Sequence, residues 1–211
     1  MIYRLSPSTL RLFKDCERCF WLHLNKKVRR PSGPFPSLPS GMDKVIKEYF
    51  DAARGKGIMP AEVPAGLSLF HDTELLKTWR SNFKGLTYTT KEGDTLRGAV
   101  DDILVTKKGE LVVLDFKTRG YPLKENTASF YEDQLIVYTY LLKKNGHKTV
   151  DHAYLLFYYP KKVTTNNVSF YREIIKVTID TTSAEKTFRE ALNCLRKVIP
   201  EPSKECQYCS D

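Results

Sequence analysis

No apolar run in the 211 residues approaches the length needed to cross a bilayer, and the opening MIYRLSPSTL lacks the apolar core of a signal peptide. A cytoplasmic protein with no membrane partner is therefore the expectation. No G-x-x-x-x-G-K-[ST] loop is present to cradle nucleotide phosphates, so the chain does not read as a motor by itself. No internal repeat is visible. Histidine is scarce, with His23, His71, His147 and His152 as the whole supply. Acidic residues number 25 against 34 lysines and arginines, a formal net charge of +9. The basic excess is spread along the chain. Such a surface attracts polyanions, nucleic acid being the usual one, although the same charge also serves solubility.

What remains is the make-up of an ordinary folded protein, 41% hydrophobic and 28% charged. The length suits one domain with a small elaboration. Four of the five cysteines form two C-x-x-C pairs, Cys16/Cys19 near the start and Cys206/Cys209 near the end. In a cytosolic chain this pairing points to metal or redox chemistry before structural disulfides. Cys194 stands among Leu192, Leu195 and Val198 and reads as a core residue.

The first helix is predicted from Ser6 as N-cap and Pro7 at the first helical position, with Leu10, Phe13, Phe20 and Leu24 on its apolar face. Residues 29–41 hold four prolines and read as loop, followed by a helix over 42–55 that Gly55 closes. Residues 58–70 read as loop and 71–85 as helix. Three strands are expected at 86–91, 95–106 and 110–117, arranged as a meander. A helix over 128–146 with Gly146 as its stop carries Tyr131, Gln134, Leu135, Tyr138, Leu141 and Leu142 on one face. Strands at 152–160 and 168–179 and a helix over 183–199 complete the chain. This order implies an α/β fold, a mixed β-sheet flanked by helices, with an N-terminal helical elaboration.

One turn decides how two aspartates meet. Lys107-Lys108-Gly109 suits a three-residue hairpin loop with Gly109 in the left-handed position, which sets Thr106 against Glu110. Asp101 then faces Asp115, and Lys117 shares the strand face of Asp115. Two carboxylates that close repel unless a cation intervenes, and oxygen ligands suit Mg²⁺ or Mn²⁺. Lys117 beside them could orient or deprotonate a water, or neutralise charge on a phosphate. Two plainer readings stand beside this one. Asp101 and Lys117 could be an ion pair at a sheet edge, and a two-residue turn would set Asp102, not Asp101, opposite Asp115.

The series GAVD (98–101), DFK (115–117) and QLIVY (134–138) resembles the PD-(D/E)XK nuclease superfamily, restriction-endonuclease-like in fold. It is most similar to the RecB-like branch, which includes the AddB nuclease domain and the Cas nucleases of CRISPR adaptation. LSPSTLRLFKDCERCFWL is similar to the opening helix of that branch. The resemblance implies a metal held by Asp101, Asp115 and the main-chain carbonyl of Phe116, with Lys117 catalytic. Gln134 and Tyr138 would position the lysine or the nucleic-acid strand. It further implies a helical elaboration over about 1–85, a catalytic core over about 86–180 and a C-terminal helix with its cysteine pair over 181–211, all in one domain. The branch carries a histidine ligand on the helix that here reads SGMDKVIKEYFD, which has none; Asp43, Glu48 or water are the substitutes.

In the same branch an N-terminal cysteine and C-terminal ones bind a [4Fe–4S] cluster. Cys16, Cys206 and Cys209 match such positions, and Cys19 is available as the fourth thiolate. The two C-x-x-C pairs would equally suit tetrahedral Zn²⁺. The activity expected is Mg²⁺- or Mn²⁺-dependent deoxyribonuclease action, exonucleolytic in type and of low sequence specificity, in DNA repair, recombination or defence. Its partner would be DNA that is single-stranded or free-ended, with a helicase or another repair or CRISPR protein alongside. The alternative is a weakened nuclease-fold module that binds DNA or docks on a helicase.

Overall fold

The structure is a computed structural model and describes residues 1–209. Its centre is a mixed five-stranded sheet in the order β2-β5-β6-β7-β8. These strands are Leu67–Leu69 (β2), Asp102–Thr106 (β5), Leu111–Thr118 (β6), His152–Val163 (β7) and Val168–Thr178 (β8). The β6–β7 pair is parallel and the others are antiparallel. A parallel pair needs a crossover, and helix α5 (Ser129–Lys144) supplies it. Gly146, at φ 85°, ends α5 as the sequence predicts.

Alternation along β6 sorts its side chains between two apolar layers. Leu111 and Val113 join the larger cluster, with Leu135 and Leu141 of α5, Phe157 of β7, and Leu192 of helix α6 (Thr181–Arg196). Val112, Leu114 and Phe116 join the other, against Ile46 and Phe50 of helix α3 (Ser37–Gly55). Phe50 and Phe116 meet with ring centroids 4.9 Å apart. Each such ring taken from water contributes about 2–3 kcal/mol. Cys194 lies in the larger cluster, as its surroundings predict.

The mixed sheet flanked by helices is as expected, but five local expectations need correction. The helix expected from Ser6 is two, α1 (Pro7–Asp15) and α2 (Glu17–Lys26), because Cys16 between them takes an extended backbone and caps both. Helix α3 begins inside the proline-rich stretch: Pro39 falls in its first turn, where a missing N–H forfeits no hydrogen bond. The segment expected as loop over 58–70 contains β2, an edge strand three residues long. The helix expected over 71–85 is α4 (Thr73–Arg80), capped by the Asp72 side chain and stopped at Ser81.

The fifth correction matters most. The strand expected over 95–106 is two strands in two sheets. Its first part, β4 (Thr95–Gly98), lies between β1 (Arg4–Leu5) and β3 (Leu86–Thr89) in a separate three-stranded sheet. Its second part is β5. The chain leaves one ladder for the other at 99–101, where the Val100 N–H donates to the Trp79 carbonyl of α4 at 3.2 Å. No meander joins β3, β4 and β6.

Candidate active site

The β5–β6 hairpin has the register that the turn predicts. Thr106 N–H donates to the Glu110 carbonyl at 3.0 Å, Gly109 sits at φ 76°, and Asp102 pairs with Leu114. Asp101 therefore falls one step beyond the paired part of β5, facing Asp115. The carboxylate of Asp101 takes the place of the missing ladder partner and accepts the Phe116 N–H at 2.9 Å. The N–H and C=O of one strand residue point to the same edge. The Phe116 carbonyl thus faces the edge that Asp101 occupies. The alternative register, with Asp102 opposite Asp115, is excluded.

Asp115 is 1% exposed, and no hydrogen-bond donor among the described residues is aimed at either of its oxygens. Lys117 lies against one of them as an ion pair, without hydrogen-bond direction. Burial, then the charge of Asp101, push the Asp115 carboxyl up to about 8. Burial works to lower Lys117, yet the charges of Asp115 and Asp101 outweigh it and the net movement is upward. The Lys117 ammonium donates to Gln134 Oε1 at 3.2 Å and stands 4.9 Å from the centre of the Tyr131 ring. Gln134 Nε2 in turn donates to the Tyr138 hydroxyl at 2.7 Å. Helical spacing places these two residues one turn apart on the face of α5 that covers β6.

Gly98 has a packing reason to be glycine. A Cβ there would stand 2.7 Å from the Tyr138 ring, so the small residue lets the ring reach the site. Two groups were not foreseen. Lys47 of α3 pairs with Asp101 at 2.8 Å and donates to Asp43 at 2.8 Å. Asp43 thus reaches the site through a lysine. Glu48, the other substitute considered, is exposed and pairs with Lys44 instead. The i,i+4 spacing of Asp43 and Lys47 was visible in the sequence; the target of the lysine was not. The second unforeseen group is a strut behind the site. Asp102 is fully buried between Arg54 at 2.5 Å and Arg80 at 3.0 Å, and Arg80 also donates to the Asp101 carbonyl at 2.6 Å.

Buried carboxylate oxygens without a donor, a second carboxylate and a strand carbonyl make a donor set for a hard divalent cation. Comparison with known proteins agrees. Residues 41–210 match the family described as the PD-(D/E)XK nuclease superfamily. The chain belongs to that superfamily. No curated protein matches it in sequence. Among solved structures, one titled "Crystal structure of SSO0001" is similar over 93% of this chain and 78% of that chain, at 11% identity and a TM-score of 0.38.

This PD-(D/E)XK chain has a second cluster of donors, drawn from the two ends of its sequence. The thiols of Cys16, Cys19, Cys206 and Cys209 are buried and all lie within 4.8 Å of one another. Cys16 faces Cys209 at 3.4 Å and Cys19 faces Cys206 at 3.6 Å. The α1–α2 break makes this possible, since it turns the Cys16 thiol to accept the Cys19 N–H at 3.4 Å. A backbone donor at Tyr208 holds the Cys206 thiol down to about 6, whereas burial pushes Cys209 up to about 12. Arg30 donates to Cys206 at 3.5 Å and stacks on Tyr208. Four such thiols could hold zinc or an iron–sulfur cluster.

Proposed function

We propose that the protein is a divalent-metal-dependent deoxyribonuclease of low sequence specificity, acting on single-stranded or free-ended DNA. The carboxylates of Asp101 and Asp115 and the carbonyl of Phe116 would hold Mg²⁺ or Mn²⁺. A cation bound there would supply Lewis-acid chemistry and lower the pKa of a water. Lys117, whose ammonium form its two aspartates favour, would orient a water and offset charge on the phosphate. Gln134 and Tyr138 hold Lys117 in place from α5, and the Tyr131 ring faces its ammonium. The observation that carries the reading is the pair of buried, undonated oxygens of Asp115 beside Asp101 and Lys117. Basic side chains grip the backbone, which conveys no sequence information.

The test is cleavage of a labelled single strand in Mg²⁺ or Mn²⁺. Wild-type protein cuts it and Asp115→Ala does not, while both bind it in Ca²⁺. A second reading, a module that grips DNA without cutting, draws on Lys47: an ammonium, not a ligand, meets Asp101 from α3. Protein that binds the strand and never nicks it in either metal belongs to that reading.

At the cysteines we propose a single tetrahedral Zn²⁺. Four thiolates around one zinc stand about 3.8 Å apart. A cubane holds its four thiolates farther apart than that, because four irons lie between them. The observed spacing, within 4.8 Å, supports the single ion.

A further inference from the structure

A cavity of about 620 Å³ opens between α1, the end of β4 and the first turns of α5. Gln134 and Tyr138 line it, and Gln134 also accepts from Lys117, so the cavity adjoins the catalytic patch through these α5 side chains. Its charged residues are unevenly matched. Lys14 is tied to Asp133 at 2.5 Å, and Asp15 has Arg30 at 3.7 Å. Arg11 and Arg97 line the same cavity, are exposed, and have no carboxylate partner among the described residues. Arg97 spends one donor on the Phe83 carbonyl at 2.8 Å, which steadies it without neutralising it. Phe130 adds an aromatic side chain to the wall, 56% exposed.

Guanidinium groups without a carboxylate are the usual phosphate donors, and an exposed ring is a platform for any base. A volume of this size is that of a drug-sized site, room for about two nucleotides of one strand. We propose that this groove binds the single-stranded DNA next to the cleaved bond. Arg11 and Arg97 hold successive phosphates and Phe130 stacks under a base. The inference rests on the nuclease reading and adds to it the path of the strand.

The experiment measures binding of a fluorescein-labelled oligothymidylate in Ca²⁺, across a salt series, for Arg11→Gln, Arg97→Gln and Phe130→Ala. Each arginine variant should weaken binding about 5- to 10-fold and flatten the salt slope by about 0.7, the loss of one phosphate contact on a single strand. Phe130→Ala should weaken it about 5-fold or more with the slope unchanged. Arg97→Lys, which keeps the charge, should keep the slope and reports on folding of that site. Mn²⁺ affinity by calorimetry should match wild type in all four. Unchanged oligonucleotide affinity and slope in both arginine variants would overturn the groove, even where Asp115→Ala still abolishes cleavage. An equal loss of blunt-duplex binding would overturn it too. Arginine-dependent binding by a protein that never cuts would leave the groove standing and remove the nuclease.

Discussion

Asp115 carries two properties that a single substitution can separate. Its carboxyl is raised from 3.8 to about 8 by burial and by Asp101, so the folded protein holds that proton more tightly than the unfolded chain. Stability from this group is complete below about pH 4 and is lost as the pH climbs through about 8. Thermal melts in EDTA should show this decline, with Mn²⁺ restoring stability at the alkaline end. Asp115→Asn should flatten it. A metal-free melting temperature that rises between pH 5 and 8 would contradict the upward shift of the buried Asp115 carboxyl. At this scale the sequence was informative. Asp101, Asp115, Lys117, Gln134 and Tyr138 all come together, because turn chemistry at Gly109 and helical spacing are local rules. Lys47 was missed, since which strand a helix covers is settled by packing across the molecule.

Elements were legible where one rule governs a whole segment, and illegible where a segment serves two partners. Residues 95–106 look like one strand because strand formers lie at both ends, although Gly98, Asp101 and Asp102 between them are weak ones. The break between β4 and β5 falls at these residues, with α4 and the Tyr138 ring packed beside it. It frees Asp101 from the ladder, so its side chain, not its backbone, meets β6. Arg54, Arg80 and Asp102 brace the broken segment from behind. Burial moves the Asp102 carboxyl upward, against the pull of the two arginines. Arg54→Met removes one of its counter-charges in a place water does not reach. The cost should be about 3–5 kcal/mol in urea unfolding, as for one partner lost from a buried pair. A loss under 1 kcal/mol would mean the arginine is dispensable there.

Across the whole molecule, the cysteine cluster ties the α1–α2 break to residues 206 and 209, so a bound ion closes a loop of nearly the full chain. Cross-links gain with loop length, and one of this span is worth about 5 kcal/mol in the chain-entropy account. In a protein of this size that corresponds to a melting temperature lower by roughly 10–20 °C once the tie is cut. The tie is all-or-none, because three thiolates do not replace four. Cys206→Ala and Cys19→Ala should therefore each cost about as much as the two together, and a strong chelator should reproduce the loss in the wild type. Metal analysis should find one zinc per chain in wild type and in Cys194→Ala, whose thiol packs in the main core away from the four. Additive losses from the two cysteine variants would show four independent buried thiols. Iron and sulfide in place of zinc would show that the cysteines spread to admit a cubane.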